Sequence, residues 1–419
     1  MKRTKKYSLS TLVGLLFFSG AATAFGGVNV QCPTDTKGDA VSTDPNTICM
    51  HLAAGDGFAY MADRKSSYIF GFVDVSGMRT NTQKQKDRVV KRAILANQWP
   101  APTIELKEGQ EFYLSLTNVG MLIRPDLFDP HTVHFHGYPE SSTVFDGLPE
   151  SGVAINMGST LTYYYKLNDP GTYMYHCHVE ATEHMQMGML GNLYIKPLQN
   201  GEPHVWEGKT YTQFAYNDGD GSTGYDVEYP IQLGSFDGAF HDASETVQPL
   251  PFALMRDNYP MINGRGYPDS ADPRTDGNPH PIYDPSGTLG AFDTPPQSGA
   301  GSVKIPTAQP VSSLIKASPG DRILLRISNL AITRYYTLQT NGIKMNVVGR
   351  DAKLLRAPNG DDLYYKTNSV TLGGGESVDV ILDTADVTPG TYVLYTSNLN
   401  YLSNDDEQFG GMMTEIVIN

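Results

Sequence analysis

The stretch that most constrains this chain is residues 171–195, GTYMYHCHVEATEHMQMGMLGNLYI. Within fourteen positions it holds residue types with affinity for soft transition metals, namely His176, Cys177, His178, His184 and Met189. Two imidazoles, one thiolate and a weak axial thioether form the ligand set of a blue-copper site. The further imidazole lies upstream, in HTVHFHGY at residues 131–138. We therefore expect a fold that places these two segments side by side around copper.

Strand geometry allows two metal sites behind one another. The sequence GTYMYH follows a Pro-Gly turn and predicts a strand that leads into the His-Cys-His triplet. Because successive side chains of a strand alternate, Cys177 should face one side, and His176 and His178 the other. His134 and His136 should likewise share a face, about 6.6 Å apart at Cα, a spacing that favours two neighbouring metals over one.

The first 24 residues are expected to be a signal peptide. MKRTKK is a basic n-region, residues 9–18 form a short apolar region, and Ala22-Thr23-Ala24 is a small-residue cleavage site. The apolar run is too short to span a bilayer, and no later segment is long enough. We therefore expect a periplasmic or secreted protein without a membrane span.

The charge balance disfavours some classes of partner. The chain has 31 Lys and Arg residues against 45 Asp and Glu residues. The predicted signal peptide carries four of the basic residues and no acid, so 27 bases against 45 acids leave a net charge of −18. Such a charge disfavours nucleic acid and anionic membrane as partners. It is compatible with cationic substrates, although exported proteins are often acidic without that function.

The chain has three cysteines, Cys32, Cys49 and Cys177. Cys32 and Cys49 flank a loop rich in Pro, Asp and Thr, and in an oxidising compartment we expect them to form a disulfide. Cys177 is then left without a cysteine partner, which agrees with a role as a copper thiolate.

Strand-length runs separated by Gly, Pro, Asn and Asp continue to residue 197 without a long helical period, which predicts a β-sandwich. Residues 25–65 are expected to be an irregular extension that contains the disulfide. Residues 66–198 form the first predicted domain, in which ELKEGQEFYLSLTN predicts a β-hairpin about a KEGQ turn. Residues 199–419 form the second, with a Pro/Gly-rich insertion at about 266–312.

A weak internal repeat indicates two copies of one sandwich. The run KEGQE followed by YLSLTN resembles SPGDR followed by LLRISN, and DPGTY at residues 169–173 resembles TPGTY at residues 388–392. The second copy continues with VLYTSN where the first has MYHCH, so it has lost the candidate metal ligands.

These motifs resemble the multicopper oxidase superfamily, which is built from cupredoxin domains, over about residues 93–419. HFHG, FDGLP at residues 145–149 and PGTYMYHCH follow the order of the family's first domain. YPMINGRGYP, SPGDRILLRISN and TLGGGESVDVILD resemble its copper-free second domain. The resemblance implies an all-β fold of two cupredoxin-like Greek-key β-sandwich domains.

The resemblance also implies which residues bind copper. The type 1 copper would be held by two imidazoles, a thiolate and an axial thioether: His131, Cys177, His184 and Met189. A cluster of type 2 and type 3 coppers would use one type 2 ligand, His134, and three type 3 ligands, His136, His176 and His178.

In the family, type 1 copper takes single electrons from a reducing substrate, and the Cys-His link passes them to a trinuclear cluster that reduces O2 to water. Asp146 matches the acidic residue that relays protons near that cluster. His184 would be the exposed ligand that meets the substrate.

This chain departs from the family pattern in two places, one in each predicted copper site. The step from Cys177 to His184 is two residues longer than the usual oxidase spacing. A trinuclear cluster needs four His-X-His pairs, and this chain has two. A differently arranged homo-oligomer, by analogy a trimer, could supply the missing pairs, or the site is reduced or absent. The remaining histidines are scattered, and three of them are expected at the surface: His204, His241 and His280.

Three functions are therefore compatible with the sequence. The first is an exported laccase-type oxidoreductase that oxidises phenols, amines or metal ions, with O2 as acceptor and a small reducing substrate or redox protein as partner. The second is an electron carrier with type 1 copper only. The third is a nitrite reductase, which the spacing of His131 to His136 fits, although its catalytic Asp position is His134 here.

Overall fold

The computed structural model describes residues 27–246, 248–272 and 308–419. The predicted signal peptide lies outside these residues, as do His280 and most of the predicted insertion at 266–312. In the described part of the chain, no helix is long and apolar enough to cross a membrane. The fold of this part is all-β, as the sequence predicts, and its main sheets form two sandwiches.

The first sandwich holds the stretches that carry the candidate ligands. Its elements, in chain order, are β1 Thr47–Tyr60, β2 Ser66–Asp74, α1 Gln83–Ala93, β3 Ala101–Lys107, β4 Glu111–Gly120, β5 His134–His136, β6 Thr160–Lys166, β7 Gly171–His176, α2 Ala181–Gln186 and β8 Leu190–Lys196. The strands form two four-stranded sheets, in the orders β2-β1-β4-β6 and β3-β8-β7-β5. Their facing apolar side chains form one core, which includes Cys177 and Met189.

The second sandwich follows in the chain. Its first elements are β9 His204–Trp206, β10 Lys209–Tyr211, β11 Val227–Phe236, α3 Gly238–Ser244, β12 Tyr259–Ile262, β13 Ile315–Ala317, β14 Arg322–Asn329, β15 Tyr336–Thr340 and β16 Met345–Arg350. The later ones are β17 Lys353–Leu354, β18 Tyr365–Thr367, β19 Ser369–Leu372, β20 Ser377–Asp383, β21 Gly390–Thr396, β22 Ser403–Asn404, β23 Glu407–Gln408 and β24 Met413–Ile418. The main sheets have the orders β12-β11-β14-β20-β16-β17, with β18 beside β16, and β13-β24-β21-β15-β19. The predicted domain boundary at 198 stays a prediction.

Strand pairing repeats between the two sandwiches. β1 runs parallel to β4 and antiparallel to β2, just as β11 runs parallel to β14 and antiparallel to β12. The partners of β7 and β8 in the first sandwich correspond to those of β21 and β24 in the second. The internal repeat seen in the sequence is therefore a repeat of topology.

The KEGQ turn does not form the predicted hairpin. β3 pairs in parallel with β8, whereas β4 pairs with β1 and β6. The turn carries the chain from one sheet to the facing one, with Gly109 at φ 88°. The alternating pattern could not distinguish the two arrangements, because a strand in either sheet buries one face in the same core.

A further prediction about the first sandwich is wrong. Residues 47–60 are expected in an irregular extension, but they form β1 in the middle of a sheet. The predicted pattern of strands also does not include α1, which begins with a capping box between Thr82 and Gln85 and buries Val89 and Val90. The predicted disulfide between Cys32 and Cys49 is present, with its Cα atoms 5.8 Å apart, and ties the N-terminal loop to β1.

A buried ion network joins the two sandwiches at β7. Arg326 of β14 is 1% exposed, and its Nε donates to a carboxylate oxygen of Glu228 at 2.8 Å. Its Nη1 donates to the Thr172 hydroxyl of β7 at 3.1 Å and lies 3.7 Å from Asp379. The strand that leads to Cys177 is thus held by the second sandwich.

Replacing Arg326 with Met is expected to lower the free energy of unfolding by about 3–5 kcal/mol, because two carboxylates would lose their buried cation. Lys353→Met is the matched control, since the Lys353–Asp169 ion pair also joins the sandwiches but Lys353 is 65% exposed. That change should cost less than about 1 kcal/mol. Denaturant unfolding of both variants measures the difference, and equal losses would contradict a special role of the buried network.

Candidate metal centres

The first cluster consists of His131, Cys177 and His184, which are all fully buried. The Nδ1 atoms of His184 and His131 lie 3.3 and 3.9 Å from the sulfur of Cys177. An imidazole nitrogen and a thiolate that share one metal, at bond lengths of about 2.0 and 2.3 Å, lie roughly 3.3–4 Å apart. The structure therefore brings three predicted type 1 residues together at distances that fit a copper ion.

Local structure explains how these side chains meet. β7 ends at His176, and strand alternation turns Cys177 into the core of the sandwich. His131 is fixed by two backbone hydrogen bonds with Ile155, at 3.0 and 2.9 Å. The Met189 N–H donates to the His184 carbonyl, and the Cys177 N–H donates to the Met189 carbonyl. Met189 is fully buried in the same core, and its role as axial ligand stays a prediction.

The electrostatic environment of the first cluster favours the binding of a cation. Burial lowers the pKa of His131 well below its ordinary value, and the neighbouring His184 adds to this effect. Burial acts in the same direction on His184, but the Cys177 thiolate and the Asp129 carboxylate outweigh it and raise the pKa of His184 to about 10. Because Nδ1 of His184 faces the sulfur, a metal cation bound there would replace this proton.

His184 is not the exposed ligand that the sequence predicts. Its side chain is fully buried, with the edge of its ring against Phe70 at a centroid distance of 5.8 Å. On the other side, Nε2 of His184 lies 3.8 Å from a carboxylate oxygen of Asp129, a distance typical of an ion pair rather than a hydrogen bond. Asp129 is 18% exposed and therefore connects the cluster to the surface. No sequence pattern marked Asp129 for this place.

The second sandwich contributes to this burial through His241. The prediction that His241 lies at the surface is wrong, because the residue is fully buried in α3. Its ring nitrogens lie 2.6 Å from the Tyr68 carbonyl of β2 and 3.0 Å from the Gln186 carbonyl of α2. Since α2 carries His184, these contacts hold the helix of the first cluster against the second sandwich. His204 is partly buried in β9, away from both clusters.

The second cluster lies on the opposite face of β7. The β5–β7 register places His134 directly opposite His176, and alternation puts His136 on the same face. One ligand nitrogen from each of these three residues lies within 4.8 Å of the others. The expectation that the spacing of His134 and His136 favours two neighbouring metals stays a prediction. His178 is a neighbour, with its ring 5.2 Å from that of His134, but it is outside this set of three.

Hydrogen bonds fix the orientation of two of these rings. Nδ1–H of His176 donates to the Cys177 carbonyl at 2.8 Å, and Nδ1–H of His134 donates to the Asp146 carbonyl at 2.6 Å. Each bond leaves the Nε2 lone pair free for a metal. Burial lowers the pKa of His176 to about 3 and also lowers that of His136, so both rings are neutral at neutral pH.

Asp146 lies at the outer edge of the second cluster. Its carboxylate oxygen is 3.3 Å from Nδ1 of His134, the nitrogen that points away from the other imidazoles. The position allows the carboxylate to orient His134, and a role in proton relay stays a prediction.

A glycine loop of the second sandwich closes one side of the cluster. A Cβ on Gly375 would lie 2.6 Å from Nε2 of His136, and Gly375 has φ 89°. Burial has the largest effect on the pKa of His136, and the Asp351 carboxylate opposes it from the same sandwich. The motif TLGGGES contains this glycine, but no local pattern indicates that it lies against a histidine.

Known proteins support this description. Two sequence profiles, both described as multicopper oxidase, match residues 78–200 and 243–419. The multicopper oxidase MmcO of Mycobacterium tuberculosis is 26% identical over 300 residues, which cover 71% of this chain and 49% of MmcO. Laccase abr2 of Aspergillus fumigatus is 34% identical over 115 residues, covering 27% of this chain and 18% of the laccase. The chain thus spans about half or less of these relatives.

Solved structures show the same fold. The blue copper oxidase from Nitrosomonas europaea has a TM-score of 0.59 at 22% identity, covering 88% of this chain and 85% of that one. The copper nitrite reductase from Nitrosomonas europaea has a TM-score of 0.55 at 15% identity, covering 89% and 94%. The profile matches cover most of the chain. The buried set of His131, Cys177 and His184 fits copper. The chain belongs to the multicopper oxidase family, whose cofactor is copper.

Proposed function

We propose that this chain is an exported copper-dependent oxidoreductase that oxidises phenolic, amine or metal-ion substrates in one-electron steps, with O2 as the acceptor. One observation carries the proposal: the triplet from His176 to His178 places a sulfur–nitrogen cluster on one face of its strand and an imidazole cluster on the other. Copper bound at the first cluster would supply one-electron redox chemistry.

The chain provides two short connections between the clusters. Cys177 and His176 are covalent neighbours, and the His176 ring also donates a hydrogen bond to the Cys177 carbonyl. The ring thus joins the second cluster to the backbone of the residue that carries the thiolate. A simple electron carrier has no need of such a link, and this favours an enzyme over the carrier alternative.

The substrate side of the first cluster is the surface around Asp129. Because His184 is fully buried, a substrate cannot contact it directly, and Asp129 is the partly exposed group next to it. A carboxylate at this place can accept a hydrogen bond from a phenol or an amine and can attract a metal cation. Phe128 and Leu122 in the same loop are 69% and 52% exposed and offer apolar contact for an aromatic ring.

Asp129→Asn is expected to lower kcat/KM for phenolic or amine substrates by roughly 10–100-fold, the usual effect of losing a group that supports a metal ligand. The blue absorption should persist, because the three ligands of the first cluster remain. Asp126→Asn is the matched control: Asp126 belongs to the same loop but is 63% exposed and pairs with Arg124. Steady-state oxidation assays decide the matter, and equal activity of the Asp129 variant and the wild type would rule out this entry surface.

Export and assembly are part of the same proposal. The disulfide between Cys32 and Cys49 is typical of an oxidising compartment, which supports periplasmic or secreted localisation. The proposal also includes assembly of the chain into a homo-oligomer, by analogy a trimer.

The proposal is tested with the copper-loaded full chain, by following O2 consumption and the blue absorption after addition of a phenolic or ferrous substrate. Bleaching followed by reoxidation in O2 supports the oxidase. Bleaching that O2 does not reverse supports the electron carrier. Reoxidation by nitrite in place of O2 supports nitrite reduction, which the fold shared with nitrite reductases leaves open.

A further inference from the structure

We propose that the second cluster binds one copper ion, held by His134, His136 and His176 of a single chain, and not a trinuclear cluster. This inference deepens the proposed function and rests on it, since it assumes that the second cluster receives copper. It departs from the pattern of the family, so the support has to come from the geometry of this chain.

Two of the three imidazoles lie at a distance that fits one ion, and the third lies close to both. Nδ1 of His136 and Nε2 of His176 lie 3.3 Å apart. Two nitrogens bound to one metal at about 2.0 Å each, with a tetrahedral angle between them, are also about 3.3 Å apart. The His134 ligand nitrogen lies within 4.8 Å of both. Two metals 3.5–4 Å apart would each need their own set of ligands, as in typical two-metal sites.

The chain does not hold enough His-X-His pairs for a trinuclear cluster. Such a cluster uses four His-X-His pairs, and the sequence contains two. Among the described residues outside the clusters, His51 is buried against Thr117 and His241 is bonded to two carbonyls. His204 packs on Phe214 in the second sandwich.

The second sandwich covers one side of the second cluster, at His136. The backbone of Gly375 is so close to Nε2 of His136 that a single added methyl carbon would lie 2.6 Å from it. His176 is only 3% exposed, and the His134 side chain is 16% exposed. A second copy of the chain therefore has little room to place its own imidazoles against this side of the cluster.

His178 provides an internal control for the proposal. Its ring lies 5.6 Å from that of His176 and 5.2 Å from that of His134, so it borders the site, but its ligand nitrogens are not within 4.8 Å of all of the other three residues' ligand nitrogens. Its backbone N–H donates to the Thr132 hydroxyl at 3.0 Å, which holds the residue beside the first cluster. In a trinuclear cluster the positions of His136 and His178 would be equivalent ligands, whereas a single ion bound by three imidazoles distinguishes them.

The test compares wild type, His136→Ala and His178→Ala, each produced as the full chain, loaded with Cu(II) and freed of excess metal. Copper per chain, spin-counted EPR and circular dichroism are measured on the same samples. We expect about two coppers per wild-type chain, all visible by EPR, one with the narrow splitting of a thiolate site and one with normal splitting. His136→Ala should lose the normal-splitting signal, and His178→Ala should retain it. Nitrogen couplings from three imidazoles should appear in pulsed EPR.

The possible failures differ from one another. Copper that is bound but silent in EPR, and lost in both variants, would overturn the single-ion site while leaving the oxidase proposal intact. A wild-type chain with one copper and only the narrow-splitting signal would overturn both proposals and favour the electron carrier. A variant whose circular dichroism departs from that of the wild type is replaced by His136→Gln or His178→Gln, which are read in the same way.

Discussion

Replacing Cys177 with Ser is expected to abolish the blue absorption and to reduce substrate oxidation by more than the roughly 10–100-fold typical of a lost supporting group. The sulfur of Cys177 is the one soft anionic atom between His131 and His184, at 3.9 and 3.3 Å from their nitrogens. A serine oxygen is a smaller and hard ligand, and it does not give the copper–thiolate bond. Absorption spectra and O2 consumption of the copper-loaded variant measure both effects.

Met189→Leu is the matched control for this change. The Met189 side chain is buried in the same core, but a thioether would contribute only a weak axial bond. This variant should stay blue and active, with a shifted reduction potential. If Cys177→Ser keeps the absorption band, or if both variants lose copper to the same extent, the first cluster is not the thiolate site described above.

The double replacement His134→Ala with His136→Ala is expected to abolish O2 reduction and to leave the blue absorption unchanged. The two imidazoles supply two of the three nitrogens that converge in the second cluster, and neither contacts the sulfur of Cys177. The variant should still be bleached by a reducing substrate, because the first cluster is intact. Stopped-flow bleaching and an oxygen electrode separate these two half-reactions.

His204→Ala serves as the control for the loss of a histidine outside the clusters. His204 lies in β9 of the second sandwich and should affect neither half-reaction. Retained turnover with O2 in the double variant would mean that the second cluster is not where the acceptor reacts. Loss of the blue absorption would mean that the two clusters are structurally coupled through β5 and β7.

Local sequence was sufficient to predict the central residues of both clusters. His176, Cys177 and His178 are consecutive residues. In an extended backbone the side chain of Cys177 therefore points away from the face that carries the two histidines. The structure accordingly puts Cys177 in the core and His176 among the other imidazoles. The repeated Pro-Gly turns and the loss of ligands after Tyr392 likewise follow from local pattern, and the repeated topology agrees with them.

Predictions that depended on distant neighbours failed. The KEGQ hairpin was wrong because the alternation of β3 and β4 records which faces are buried and not which strands pair. β1 was missed because residues 51–57 in its middle are all buried, so this part of the strand lacks alternation. The helix α1 was missed because only three of its residues are buried and the rest of its sequence is polar.

Local pattern was enough to predict the all-β class, the disulfide, the family and the candidate copper ligands, because ligand type and strand alternation are local properties. How these residues can be used depends on the packing of the two sandwiches. Residues far away in the chain bury His184, leave Asp129 as its connection to the surface and set Gly375 against His136. Burial and access depend on which surfaces meet when two sandwiches pack, and no local pattern in either sandwich records that contact.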